Sequence, residues 1–99
     1  MAHDNMEQKI RILIADDDSD FCARIAAAVE QTSDLELAGI AEDGAKALAA
    51  VGELQPDLLL IDPALPGIDG IMVLNRLREQ KQMPKATFVL SAFASPQLG

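Results

Sequence analysis

Asp57 to Gly70 reads DLLLIDPALPGIDG. Asp57 to Asp62 (DLLLID) is the most hydrophobic strand-like run and ends on an aspartate, and the next eight residues hold two prolines, two glycines and an aspartate, the types that turns use. A buried parallel strand has this form. It is apolar almost without interruption because both faces are covered, and it turns polar abruptly where the chain leaves the sheet. Lys9 to Ala15 (KIRILIA) repeats the form and stops on Asp16, Asp17 and Asp18. Leu35 to Ala41 (LELAGIA) and Thr87 to Ser91 supply two further strands.

Helical spacing fills the gaps between the strands. Phe21, Cys22, Ile25, Ala26 and Val29 recur on one face behind Asp18 or Ser19, either of which can cap a first turn. Ala47, Leu48, Val51 and Leu54 mark a second helix, opened near Asp43 and closed before Pro56, whose ring disfavours helix at the residue before it. A third starts near Asp69, with Ile71, Leu74 and Leu77 as its apolar stripe. The order β-α-β-α-β-α-β with short connections predicts an α/β fold, a parallel sheet covered by helices on both faces. In such a sheet every strand-to-helix loop lies at the carboxyl edge, where ligands bind at the point where strand order reverses. Asp16, Asp17, Asp62 and Ser91 all fall on that edge.

The chain has 99 residues, enough for one hydrophobic core and too few for two. We divide it into a polar tail over 1–8, one domain over 9–93 and a short tail over 94–99. Sixteen acidic residues against eight basic ones give a formal charge of −8, and no run of Lys or Arg interrupts them, so no nucleic acid contact by this segment is expected. No apolar stretch approaches the roughly 20 residues of a membrane span, and Met1 to Gln8 lacks the apolar centre of a signal peptide. A cytoplasmic location without membrane contact is the expectation. The single Cys22 lies among the apolar positions of the first helix, as buried thiols do.

Three aspartates brought together at a partly buried sheet edge repel one another, and a positive partner must compensate. Carboxylates with a backbone carbonyl and waters suit Mg²⁺, a hard ion that takes few protein ligands. Such an ion neutralises an incoming phosphoryl group and lets a carboxylate act as nucleophile. Each feature alone has a plainer meaning: adjacent aspartates serve as turn or cap residues, Asp62 before Pro63 as a turn former, Asp69-Gly70 as a helix start. The joint order of apolar strand and DD, apolar strand and D, apolar strand and S is what points to a site.

ILIADD (12–17), LLLIDPALPGIDG (58–70) and FVLSA (88–92) resemble the signature segments of bacterial two-component response-regulator receiver domains, and the resemblance runs from Lys9 to Phe93. It implies a flavodoxin-like, doubly wound sheet of strand order 2-1-3-4-5. It also implies Asp62 as the phosphoacceptor, Asp16 and Asp17 as metal-binding acids, the backbone carbonyl of Ala64 as a further Mg²⁺ ligand, and Ser91 as the switch hydroxyl. The phosphoryl donor is then a histidine kinase or phosphotransfer protein, and the domain is a signalling element that assists its own phosphorylation. IDGIMVLNRLRE and SAFA resemble, more narrowly, the receiver of the sporulation transcription factor of endospore-forming bacteria, which carries a separate DNA-binding domain.

Departures from the family pattern set further expectations. Pro63 follows the phosphoacceptor where an amide hydrogen is usual, and Leu65 replaces the usual Met at similar volume. The family continues past the fourth strand through a helix, a fifth strand with an essential Lys and a last helix. The 99 residues therefore read as an incomplete receiver of four strands and three helices, truncated at the C-terminus and poorly phosphorylated. Phe88, Val89 and Leu90 are then left on an exposed edge, which points to a homodimer or domain-swapped dimer. A phosphorylation-independent interaction or dimerisation module is the competing reading. An aspartyl-phosphate hydrolase, from the D-x-D within Asp16-Asp17-Asp18, would need later Lys and acidic motifs.

Overall fold

The structure is a computed structural model and describes residues 8–90. Its elements alternate: β1 (Ile10–Ala15), α1 (Ser19–Glu30), β2 (Leu35–Ala41), α2 (Gly44–Leu54), β3 (Leu58–Ile61), α3 (Gly70–Glu79) and β4 (Ala86–Val89). The four strands form one parallel sheet of order β2-β1-β3-β4. This is the α/β, doubly wound arrangement expected from the strand and helix periods, and its order is the 2-1-3-4 part of the implied topology. The strand bounds differ from the sequence reading by one or two residues, and Ser91 lies outside the described residues.

β1 is central and apolar on both sides, which is why it can carry a core on each face. Ile12 and Ile14 pack with Cys22 and Val29 of α1, joined by the half-buried Leu35, Leu37, Leu58 and Leu60. Leu13 and Ala15 pack with Leu59, Ile61, Ala47, Val51, Val73 and Leu77 under α2 and α3. β2 changes allegiance between these cores: Ile12 pairs with Leu37 but Leu13 with Gly39, so Ala38 is an extra residue. That bulge turns Leu35 and Leu37 toward α1 while Ala41 joins the α2 and α3 core.

Each helix opens on an aspartate whose Oδ1 accepts an amide three residues on: Asp18 from Phe21 (3.1 Å), Asp43 from Lys46 (2.8 Å) and Asp69 from Met72 (2.9 Å). These caps satisfy donors that the first turn leaves free. The apolar stripe of α3 differs from the expected one. Gly70, Val73, Leu74 and Leu77 are buried, whereas Ile71 is half exposed. At 3.6 residues per turn Ile71 stands about 120° from Leu77, outside the arc that meets the sheet. On β4, Phe88 and Val89 are 59% and 45% exposed, as the edge reading predicts, while Leu90 is half-buried. Among the described residues no helix is long and apolar enough to cross a membrane.

Candidate functional site

β1 and β3 are neighbours with Ala15 opposite Ile61, so the residues that follow, Asp16 and Asp62, leave the sheet side by side. Backbone bonds extend the pairing past the strand ends. The Asp62 amide donates to the Ala15 carbonyl (2.9 Å), and the Asp16 amide to the Ala41 carbonyl (3.0 Å). Parallel strands lie about 4.8 Å apart, which brings two such side chains within reach of a single ion. Asp16, Asp17 and Asp62 each place a carboxylate oxygen within 4.8 Å of the other two.

The three acids differ in exposure: Asp16 is buried, Asp62 half-buried and Asp17 exposed. Asp16 Oδ1 accepts the Asp18 amide and Asp62 Oδ1 accepts the Ala64 amide, both at 2.9 Å. Among the described residues the second oxygen of Asp16 and of Asp62 has no protein donor, and none of the three acids is paired with Lys or Arg. Burial pushes the Asp16 carboxyl above its ordinary value. The Asp18 amide opposes this, and the charges of Asp62, Asp17 and Asp18 add to it. A carboxylate so placed is short of positive charge, and a hard divalent cation with oxygen ligands supplies what the protein does not. The donor set therefore fits Mg²⁺.

Asp16, Asp17 and Asp62, singled out in the sequence, are thus brought together. Ala64 lies exposed in the loop after Asp62, tied to it by its amide. Ser91 lies outside the described residues; Leu90, its neighbour, donates its amide to the Ile61 carbonyl at 2.8 Å, beside Asp62. Leu65 is buried in the α2 and α3 core, so its apolar bulk anchors the same loop. Cys22 is buried next to the site and its Sγ lies 3.5 Å from the Asp16 carbonyl. In the sequence, Asp69-Gly70 reads only as a helix start and Gly44 is passed over, so the close approach that both glycines make is not foreseen. Gly44 and Gly70, the first residues of α2 and α3, both lie against the Asp62–Asp69 loop. The repeated Asp-Gly at a helix start was their signal, because glycine is a poor helix former and is retained where space is short.

The family model for the response regulator receiver domain matches residues 12–98. A protein-glutamate methylesterase/protein-glutamine glutaminase from Myxococcus xanthus is 39% identical over 90 residues, covering 90% of this chain and 26% of that protein. A second, from Methanospirillum hungatei, is 36% identical over 86 residues, 87% of this chain and 25% of that protein. The chain thus spans about a quarter of the length of these curated relatives. Among solved structures, the signal receiver domain of NarL from Mycobacterium tuberculosis aligns with a TM-score of 0.80 at 28% identity, covering 92% of this chain and 73% of that one. The response regulator domain of Thermotoga maritima CheB aligns at 0.78 and 26% identity, covering 89% and 64%.

Proposed function

We propose, from the premise that this chain belongs to the response regulator receiver domain family, that Asp62 accepts a phosphoryl group and that the domain is a phosphorylation-controlled switch. The observation that carries this reading is the set of three carboxylate oxygens within 4.8 Å at one sheet edge, with no Lys or Arg paired to them among the described residues. A carboxylate oxygen of Asp62 attacks the phosphorus of a phosphohistidine on a histidine kinase or phosphotransfer protein. The phosphorus–nitrogen bond breaks, the imidazole keeps the electron pair and takes a proton from solvent, and an acyl phosphate remains on Asp62. Asp16, Asp17, Asp62 and the Ala64 carbonyl would hold Mg²⁺, which when bound would supply the charge that offsets repulsion between carboxylate and phosphate. Asp16 and Asp17 would hold the ion, the Ala64 amide holds the orientation of the Asp62 carboxylate before attack, and Ser91 would donate its hydroxyl to the phosphoryl group afterwards.

The experiment is incubation with Mg²⁺ and acetyl phosphate, read by intact mass. One phosphoryl adduct on the wild type and none on Asp62→Asn is the expected result. A partner-binding surface insensitive to Asp62 would instead favour the phosphorylation-independent interaction module, a reading that Pro63 supports because it offers the phosphoryl group no amide hydrogen.

The output is read from the relatives. Two protein-glutamate methylesterases that match this chain in about a quarter of their length support an effector of that kind, acting on other proteins, and a cytoplasmic location is part of the same proposal. The sporulation-type resemblance of IDGIMVLNRLRE supports instead a transcriptional effector with its own DNA-binding domain. The exposed Phe88 and Val89 on β4 support self-association of the chain as a dimer.

A further inference from the structure

Gly44 and Gly70 each follow the capping aspartate of a helix, and neither has a positive φ; among the described glycines only Gly67 does, at 76°. Conformational freedom is therefore not what these two positions use. Space is. A Cβ on Gly70 would collide with the Asp62 carbonyl oxygen and lie 2.8 Å from Pro63 Cα. A Cβ on Gly44 would collide with the Ile68 carbonyl oxygen and lie 2.7 Å from Ile68 Cβ. The obstacles are mostly backbone atoms, which no side-chain rotamer change can move aside.

The same residues are also bonded to the loop they touch. The Gly70 amide donates to the Pro63 carbonyl (3.0 Å) and the Gly44 amide to the Pro66 carbonyl (3.3 Å). The loop is thus held at its start by α3 and further along by α2. Between these points lie Ala64, whose amide holds Asp62 Oδ1, and the buried Leu65. We propose that Gly44 and Gly70 are positioning residues of the site: by letting two helix starts seat against the loop, they set where the Asp62 carboxylate and Ala64 lie relative to Asp16 and Asp17. The inference rests on the reading of that cluster as a cation and phosphoryl site. Groups that orient metal ligands without touching the metal change affinity by roughly 10- to 100-fold when altered.

The test is Mg²⁺ titration by calorimetry and by backbone amide NMR of the wild type, Gly70→Ala, Gly44→Ala and Gly52→Ala, with folding checked by circular dichroism. Gly52 is the control, because a Cβ there meets only Gln82 Oε1 at an ordinary 3.7 Å. The expected result is Mg²⁺ affinity about tenfold or more weaker in folded Gly70→Ala and Gly44→Ala, and wild-type affinity in Gly52→Ala. Folded Gly70→Ala and Gly44→Ala that bind Mg²⁺ like the wild type overturn the proposal while leaving the site intact. If those variants do not fold, the wild-type titration decides. Gly44 and Gly70 amides that shift with the same midpoint as Ala64 support coupling of both helix starts to the site, and a Gly44 amide that stays fixed refutes it. A wild type with no Mg²⁺-dependent shift overturns the reading of the site and this inference with it.

Discussion

Asp16 and Asp62 leave neighbouring strands side by side, and each has one carboxylate oxygen occupied by an amide of its own loop. The remaining oxygens face a shortage of positive charge that is greatest at the buried Asp16, whose carboxyl is held above the ordinary range first by burial and then by Asp62, Asp17 and Asp18. A raised folded-state pKa means that the native state binds the proton more tightly than the unfolded chain. The stability it contributes is present below the unfolded value and is lost as pH rises through the folded one. Metal-free protein should therefore lose stability from this group as pH climbs out of the acid range, and Mg²⁺ affinity should rise over the same interval as the competing proton leaves. Asp16→Asn should stabilise the metal-free protein at neutral pH by roughly 1 kcal/mol, the scale of one close like-charge contact, and abolish Mg²⁺ binding. Urea unfolding with and without Mg²⁺ across pH measures both.

The opposite edge of the sheet is held by Arg11. Its Nη1 donates to the carbonyls of Leu54 and Gln55, the latter at 3.2 Å, where α2 ends with Gln55 in the left-handed region at φ 48° ahead of Pro56. Its backbone amide donates to Asp57 Oδ2 (2.9 Å) and its carbonyl accepts from the Asp57 amide (2.9 Å). Arg11→Met keeps the backbone pairing and the aliphatic stem but leaves the helix-terminal carbonyls without their donor. The cost should be about 1–2 kcal/mol in urea unfolding. Mg²⁺ affinity should be unchanged, because Arg11 lies at the end of the sheet away from Asp62. A large loss of affinity would show that the two edges are coupled.

Much of the fold and of the site is legible in the sequence for a local reason. A buried strand declares its end when an apolar run meets an aspartate, and Asp16 and Asp62 do this in two strands that a parallel sheet places together. What was not legible depends on contacts between distant segments. Ile71 looks apolar enough for the α3 stripe, yet the direction in which α3 meets the sheet chooses Val73 instead. The extra residue in β2 shows only in its register with β1. Gly44 lies 24 positions before Ile68, and nothing in either neighbourhood announces that their backbones meet. The Asp-Gly pairs carried the hint without the partner.

Cys22 offers a check on the packing beside the site. It is buried, and its thiol is pushed above its ordinary value by burial and then by Asp16, Asp18, Asp17 and Glu42. The thiolate is the reactive form, so alkylation of the native protein at pH 8 should be slow and become fast in urea. The native rate should follow the population of opened molecules, and Mg²⁺ should slow it further by stabilising the closed state. Fast native labelling, measured by mass, would show that α1 does not seal this side of the sheet.

β4 has exposed apolar residues on both of its faces. Phe88 pairs in register with Leu60, which belongs to the α1 core, and Val89 with Ile61, which belongs to the α2 and α3 core. Both side chains are about half exposed or more, and the four-residue strand ATFV carries none of the charges, prolines or bulges that commonly blunt an edge. If self-association uses this strand, Phe88→Lys should weaken it by placing a desolvated cation in each copy of the contact. The substitution replaces a side chain that is 59% exposed, so the monomer should lose no more than about 1 kcal/mol. Sedimentation velocity over a range of concentrations gives the comparison. Wild type that shifts toward dimer while Phe88→Lys stays monomeric places the contact on β4, and equal association of the two proteins moves it elsewhere on the surface.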